Sequence, residues 1–250
     1  MIRWIFSLIL LQTSIVFAEE GVDKIIPKEI VREAVNHWRD STSRADAEMV
    51  IHRPSWERRL SFISITKGNE KSLVRFTAPP KDAGNATLSL GDDTWTFAPK
   101  VNRVIKIPPS MKAQSWMGSD FSYRDLSRSD EIIDQYTHKL LEVLSDDGHK
   151  VYRIESIPFE TAAVVWGKEV IDIRDDHIIL RHKFFDQDGK LVKELVAKEI
   201  TIMDGKVFPK VIRVSKIEEP DEWTEIDHHS MKFKQEVPDS TFTLSSLSTY

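Results

Sequence analysis

The chain has 250 residues, 35 Lys and Arg against 40 Asp and Glu, a formal net charge of −5, and no cysteine. A composition 40% hydrophobic and 30% charged is that of a globular protein and excludes a disordered, collagen-like or multi-span membrane chain. The slight acidic excess supplies no broad field for nucleic acid, and without cysteine there are no disulfides, thiolate metal sites, cysteine nucleophiles or lipid-bearing cysteine.

The first segment reads as an export signal. In MIRWIFSLILLQTSIVFA, residues 1–18, one cation, Arg3, precedes an apolar run from Trp4 to Leu11. Val16-Phe17-Ala18 then supplies the branched and small side chains that a signal peptidase pocket accepts. Gln12, Thr13 and Ser14 interrupt the run short of the roughly 20 apolar residues that span a bilayer, so cleavage is expected rather than a retained anchor. Residues 19–250 are then expected to be one soluble, exported domain, in the periplasm of a two-membrane bacterium.

Pro27 to Trp38 places Ile30, Val31, Ala34, Val35 and Trp38 at helical spacing, with Lys28, Glu29, Arg32 and Glu33 on the other side. Pro27 suits a first helical turn. From Ala45 the period becomes two: Ala45, Ala47, Met49 and Ile51 alternate with polar residues, and shorter alternations recur through Leu60 and Phe62, Trp95 and Phe97, Val104 to Ile107, Val151 and Ile154, and Val170 to Ile173. Turn signals such as Lys67-Gly68-Asn69, Gly91-Asp92-Asp93, Asp188-Gly189 and Asp204-Gly205 separate them, as in a meander of antiparallel strands. About ten or eleven strands make a sheet wide enough that it must curl. The expected fold is mainly β: one curved antiparallel sheet forming an unclosed barrel, with the amino-terminal helix and a middle segment over its concave face.

That middle segment, Pro108 to Asp130, breaks both periodicities. It carries Met111, Trp116, Met117, Phe121, Tyr123 and Leu126 among small and polar residues, and Ser119-Asp120 can cap a short helix running through Leu126. Methionine and aromatic side chains on an irregular connection suit a flexible apolar ligand; they equally suit a plug of ordinary core. Both roles are compatible in a lid that fills the cavity when it is empty. The candidate residues for contact with such an apolar ligand are Phe62, Phe76, Trp95, Phe97, Met111, Trp116, Met117 and Phe121. Arg103, Lys106 and Lys112 cluster with Lys100 about the preceding hairpin, either as a solvated face or as a contact for anionic headgroups or an acidic partner.

Catalytic and metal motifs are weak. No G-x-S-x-G or H-E-x-x-H occurs. His228 and His229 are adjacent and His177 and His182 five apart, so each pair falls on opposite faces of a regular strand. No cofactor, metal site or catalytic residue is expected.

The run Ser115-Trp116-Met117-Gly118-Ser119-Asp120-Phe121-Ser122-Tyr123, followed by Asp125-Leu126, resembles a hallmark of the LolA-like outer-membrane lipoprotein-sorting protein family. Phe76-x2-Pro79, Asp82-Ala83-Gly84-x-Ala86, Asp93-x-Trp95-x-Phe97-x-Pro99, Arg103-Val104-Ile105-Lys106-Ile107 and Phe208-Pro209-Lys210 follow that family's order. The resemblance implies an unclosed antiparallel barrel with a helical lid over a hydrophobic cavity. It further implies a non-enzymatic carrier or receptor for an acylated lipoprotein or lipid, working between an inner-membrane exporter and an outer-membrane acceptor. Such a carrier is expected to be a monomer. The alternative is an accessory or sensor domain of the envelope that docks on an inner-membrane transporter or signalling protein.

Overall fold

A computed structural model describes residues 25–127 and 130–248; the segment read as an export signal, residues 1–18, lies outside them. Helix α1 (Pro27–Arg39) has Pro27 in its first turn and turns Val31, Ala34 and Val35 inward. At its end the backbone N–H of Asp40, with φ +56°, donates to the carbonyl of Asn36.

The strands are β1 (Thr42–Arg53), β2 (Trp56–Lys67), β3 (Lys71–Ala78), β4 (Ala86–Leu90), β5 (Asp93–Ala98) and β6 (Arg103–Lys106), then β7 (Tyr136–Asp146), β8 (His149–Pro158), β9 (Lys168–Arg174), β10 (Ile179–Phe185), β11 (Leu191–Met203), β12 (Lys206–Lys216) and β13 (Trp223–Phe233). All belong to one sheet, in the order β6-β5-β4-β3-β2-β1-β13-β12-β11-β10-β9-β8-β7. Two meanders are thus joined where β1 pairs antiparallel with β13. The edges, β6 and β7, do not pair with each other, so the barrel is unclosed. Among the described residues no helix is long and apolar enough to cross a membrane.

The sheet has thirteen strands rather than ten or eleven, and two of them lack a clear alternation for local reasons. Strand β4, Ala-Thr-Leu-Ser-Leu, is buried on both faces, so nothing selects polar residues at alternate positions. In β7 the register shifts between Leu140 and Glu142, and such an irregularity breaks the alternation that marks a strand.

Directly opposed residues of antiparallel strands share a face. Ala47 opposes Phe62, which opposes Phe76, and Met49 opposes both Leu60 and Ile226. These side chains form the inner core together with Trp116 and Phe121. Leu73, Leu88 and Trp95 oppose one another in turn, and Ala86 opposes Phe97. This second set lies on the other face, under Phe242 and Leu247 of the carboxy-terminal segment, which ends in α4 (Leu244–Ser248). Arg75 fastens that segment by donating to the carbonyls of Leu247, at 3.1 Å, and Ser246.

One connection decides where the site lies. The chain leaves the sheet at the edge strand β6 and re-enters it at the opposite edge strand β7. The intervening residues therefore span from edge to edge. They carry α2 (Tyr123–Ser127) and α3 (Glu131–Asp134) and pack on the inner face.

Candidate functional site

The covering segment is held at several points. Trp116 is 1% exposed, and its indole Nε1 donates to Oγ1 of Thr87 at 3.1 Å. Met117 and Gly118 both take positive φ, +56° and +79°, the left-handed geometry that glycine tolerates best. Helix α2 is capped by Ser122, not by Ser119-Asp120 as the sequence suggested. The Ser122 N–H donates to Asp125 Oδ2 at 2.7 Å, and Ser122 Oγ accepts from the Asp125 N–H at 3.3 Å, a reciprocal cap. Asp120 is instead taken by tertiary partners: Arg53 reaches its two carboxylate oxygens at 3.0 and 3.1 Å, and Thr224 donates to it at 2.7 Å. At the far end of α2, Arg39 of α1 donates to the Leu126 carbonyl at 2.9 Å; burial pushes the Arg39 guanidinium down to about 10.

Between this cover, α1 and the sheet lies a cavity of about 230 Å³. Val31, Val35 and Trp38 of α1 form one side, and Phe121 and Ile132 of the covering connection another. The floor is Ile171 and Ile173 of β9, Leu195 of β11, and Ile212 and Val214 of β12. The period of two puts these apolar residues on one face, alternating with Asp172 of β9 and Arg213 of β12 on the other. A larger cleft, about 490 Å³, runs beside Asn36, Asp40, Asn69 and Lys206, but its polar lining offers little to hydrocarbon. The apolar cavity falls below the roughly 300–1,000 Å³ usual for small-molecule sites. It therefore accommodates a portion of one chain rather than several unless the cover moves.

One side of the cavity is polar. Glu169 accepts from the Tyr136 hydroxyl at 2.6 Å, and His182 Nε2 lies 2.5 Å from its other oxygen. Burial, then the Glu169 charge, pushes the Tyr136 hydroxyl well above its ordinary range. The His182 ring stacks on Phe184 with centroids 4.1 Å apart. Lys193 of β11 donates to Asp125 Oδ2 at 2.8 Å, joining the sheet to α2. Burial works against the Asp125 charge, but Lys193 and the Ser122 N–H hold its carboxyl below the usual range. Arg124 pairs with Glu131 and donates to the Ala163 carbonyl at 2.6 Å.

The residues singled out from sequence fall into three places. Phe62, Phe76 and Trp116 form a packed aromatic set, with Phe76 and Trp116 centroids 5.2 Å apart, and Met117 packs against it. These four plug the β1–β4 half of the inner face, while Phe121 stands on the cavity wall itself. Trp95 and Phe97 do not face the cavity: their registers with Leu88 and Ala86 put them on the opposite face, beneath the carboxy-terminal segment. Met111 is exposed at the surface. Of the basic residues, Arg103 is exposed, Lys106 lies over the Trp95 ring and pairs with Asp93 at 2.8 Å, and Lys112 is buried with its ammonium on the Asp92 carbonyl. Lys112 is thus a strut of the covering segment rather than part of an exposed basic face.

Sequence reasoning overlooked Lys193, Glu169, Trp166 and Phe184, and weighed His182 only as a metal ligand. The alternation of β9 was legible, but nothing local marked Trp166 or Lys193 as inward-facing. His228 is buried and His229 exposed, on opposite faces as their adjacency requires. Among the described residues one trio, His149, Asp175 and Asp176, brings possible ligand atoms within 4.8 Å of one another. Its members are already engaged: His149 lies 2.6 Å from Asp175, and Arg174 donates to both oxygens of Asp176.

No curated protein matches the sequence. A family model described as "uncharacterized protein" matches residues 68–249, more than half of the chain. Three solved structures share the fold over most of both chains. A DUF1329 family protein from Desulfovibrio piger is 26% identical with a TM-score of 0.81, covering 88% of this chain and 97% of its own. A domain provisionally described as an outer membrane lipoprotein-sorting protein, from Vibrio parahaemolyticus, is 23% identical with a TM-score of 0.79, covering 89% and 98%. A LolA superfamily protein from Nitrosomonas europaea is 21% identical with a TM-score of 0.73, covering 89% and 99%. The chain therefore belongs to that family of uncharacterized proteins, and its unclosed barrel is the fold of the LolA-like lipoprotein-sorting proteins.

Proposed function

We propose that this protein is a non-enzymatic carrier or receptor that shelters an acyl chain of a lipoprotein or lipid in the cavity beneath the covering segment. The observation that carries the reading is the apolar floor of Ile171, Ile173, Leu195, Ile212 and Val214 under a cover tied down by separate polar contacts. Each methylene moved from water to such a surface gains roughly 0.8 kcal/mol. A sixteen-carbon chain left in water is therefore disfavoured by on the order of 10 kcal/mol, enough to require a protein host between two membranes. A cover that fills the hollow with its own side chains lowers the net affinity and permits release. In this reading the protein works in the periplasm, receiving its cargo from an inner-membrane exporter and passing it to an outer-membrane acceptor. Native mass spectrometry and organic extraction of protein purified from its host test the proposal. Bound acyl species are expected; their absence, with no lipid transfer between vesicles, would refute it.

A second reading, docking on a membrane transporter or signalling protein, is favoured by the edge strand β6. Val104 and Ile105 are exposed there beside Arg103 and Lys106, with Val101 exposed just before. Crosslinking in cells is then expected to capture one membrane partner, and an Arg103→Glu/Lys106→Glu double variant to lose it.

A further inference from the structure

A pocket for plain hydrocarbon needs no buried cation, yet this one has Lys193. Its side chain is 9% exposed, and its ammonium lies 4.9 Å from the ring centre of Phe184 and 5.8 Å from that of Trp166. Its ionic partner, Asp125 at 2.8 Å, belongs not to the sheet but to α2 of the covering segment. Bringing two charges out of water costs about as much as their attraction returns, so stability of the closed form does not by itself account for the pair. The other charged groups facing the cavity are matched elsewhere: Arg124 with Glu131, and Glu169 with Tyr136 and His182.

We propose that the cavity takes a single-chain amphiphile with an acidic head, whose carboxylate replaces that of Asp125 on the Lys193 ammonium while the tail lies on Ile171, Ile173 and Val214. This deepens the acyl-carrier reading and rests on it. The head must be acidic because the ammonium already holds a carboxylate in this position, and a neutral head would leave a buried charge unpaired once Asp125 withdrew. A cationic head would be repelled. Exchange is required rather than addition, since a further carboxylate beside Asp125, with Glu131 and Glu169 nearby, would have no counter-charge. The Phe184 and Trp166 rings favour a cation at this point during the exchange. The cavity volume of about 230 Å³ takes part of one tail and leaves no room for a second. Binding of the head would also free α2, coupling loading of the cavity to loosening of its cover.

The test is calorimetric titration of the full chain, freed of bound lipid, with dodecanoate and with dodecanol at neutral pH. The wild type is expected to prefer the acid by about tenfold, because the displaced Asp125 carboxylate, already partly exposed, regains water while the head takes over the charge-assisted bond. Lys193→Met should bring that ratio close to one, and Lys193→Arg should keep it. Asp125→Asn, which retains an oxygen for the α2 cap, should raise the ratio because the competing charge is gone. Equal binding of acid and alcohol by the wild type would overturn the proposal while leaving the carrier reading intact. If neither compound binds, the carrier reading fails with it. An Asp125→Asn variant that binds both more weakly and in proportion would refute the exchange.

Discussion

The indole of Trp116 and the hydroxyl of Thr87 meet at 3.1 Å in the inner core, and this contact ties the covering segment to strand β4. Trp116 also lies edge-on to Phe62 and 5.2 Å from Phe76. Trp116→Ala removes a fully buried ring and is expected to destabilise the fold by about 3–5 kcal/mol. Trp116→Phe keeps most of the packing but strips Thr87 of its partner, for a loss of about 1–3 kcal/mol. Urea unfolding followed by circular dichroism measures both. A loss below about 1 kcal/mol for the alanine variant would show that the cover is not part of the cooperative core.

Arg53 and Asp120 form a second anchor, with side chains 12% and 1% exposed. Removing one member of a buried pair strands the other charge, so Asp120→Ala should cost about 3–5 kcal/mol. Thr224 loses an acceptor as well. Arg53 keeps Glu222 at 3.0 Å, which places the expected loss toward the lower end. A double variant, Arg53→Met/Asp120→Leu, should be more stable than Asp120→Ala alone, and equal stabilities would contradict the stranded-charge account.

Stability should also depend on pH through imidazoles that are buried or half-buried. Burial lowers His228, His37 and His138 from their ordinary value of 6.5. The unfolded chain then binds protons more readily than the folded one. The stability these groups confer is full above about pH 6.5 and is lost as pH falls toward their folded values. His228 Nδ1 lies 2.9 Å from the Lys210 carbonyl, a contact the amide of asparagine can reproduce. His228→Asn should therefore flatten the decline in denaturant midpoint between pH 7.5 and 5.5, and an unchanged slope would assign the effect to other groups.

Gly167 stands beside Trp166 where the chain enters β9. A Cβ there would lie 2.3 Å from the Asp186 carbonyl oxygen, a backbone atom that cannot swing away. The Gly167 N–H also donates to the Phe185 carbonyl at 2.9 Å, fixing the approach. Gly167→Ala is expected to cost about 1–3 kcal/mol and to displace Trp166 from the cavity wall. A thermal melt registers the first effect, and acrylamide quenching compared with and without an added Trp166→Phe change registers the second.

Much of the architecture was legible. The 3.6-residue spacing in α1 and the alternation in β1 arise from local geometry: each backbone form presents one face to the core, and the apolar residues record which. Strands β4 and β7 carry no clear alternation because one is covered on both faces and the other slips register. The covering segment stood out by lacking either period, yet its cap was misplaced. Ser122 and Ser119 are equally good capping residues, and only the tertiary demand of Arg53 and Thr224 on Asp120 separates them.

The candidate site was less legible. Trp95 and Phe97 alternate as convincingly as Phe62 and Phe76, but alternation reports that a residue is covered, not which side of the sheet covers it. That choice follows from the register of β3, β4 and β5 and from the return of the carboxy-terminal segment to their outer face.

The sequence by itself determined the element types, the curved antiparallel sheet and the irregular strap, because apolar periodicity and turn residues act over a few neighbouring positions. Only the tertiary structure decided which apolar residues border empty space and which charge enters it. Lys193 and Asp125 are 68 residues apart and meet only when the connection between the two edge strands is drawn across the inner face. Their attraction depends on that long-range closure and on the exclusion of water around it, which no local pattern encodes.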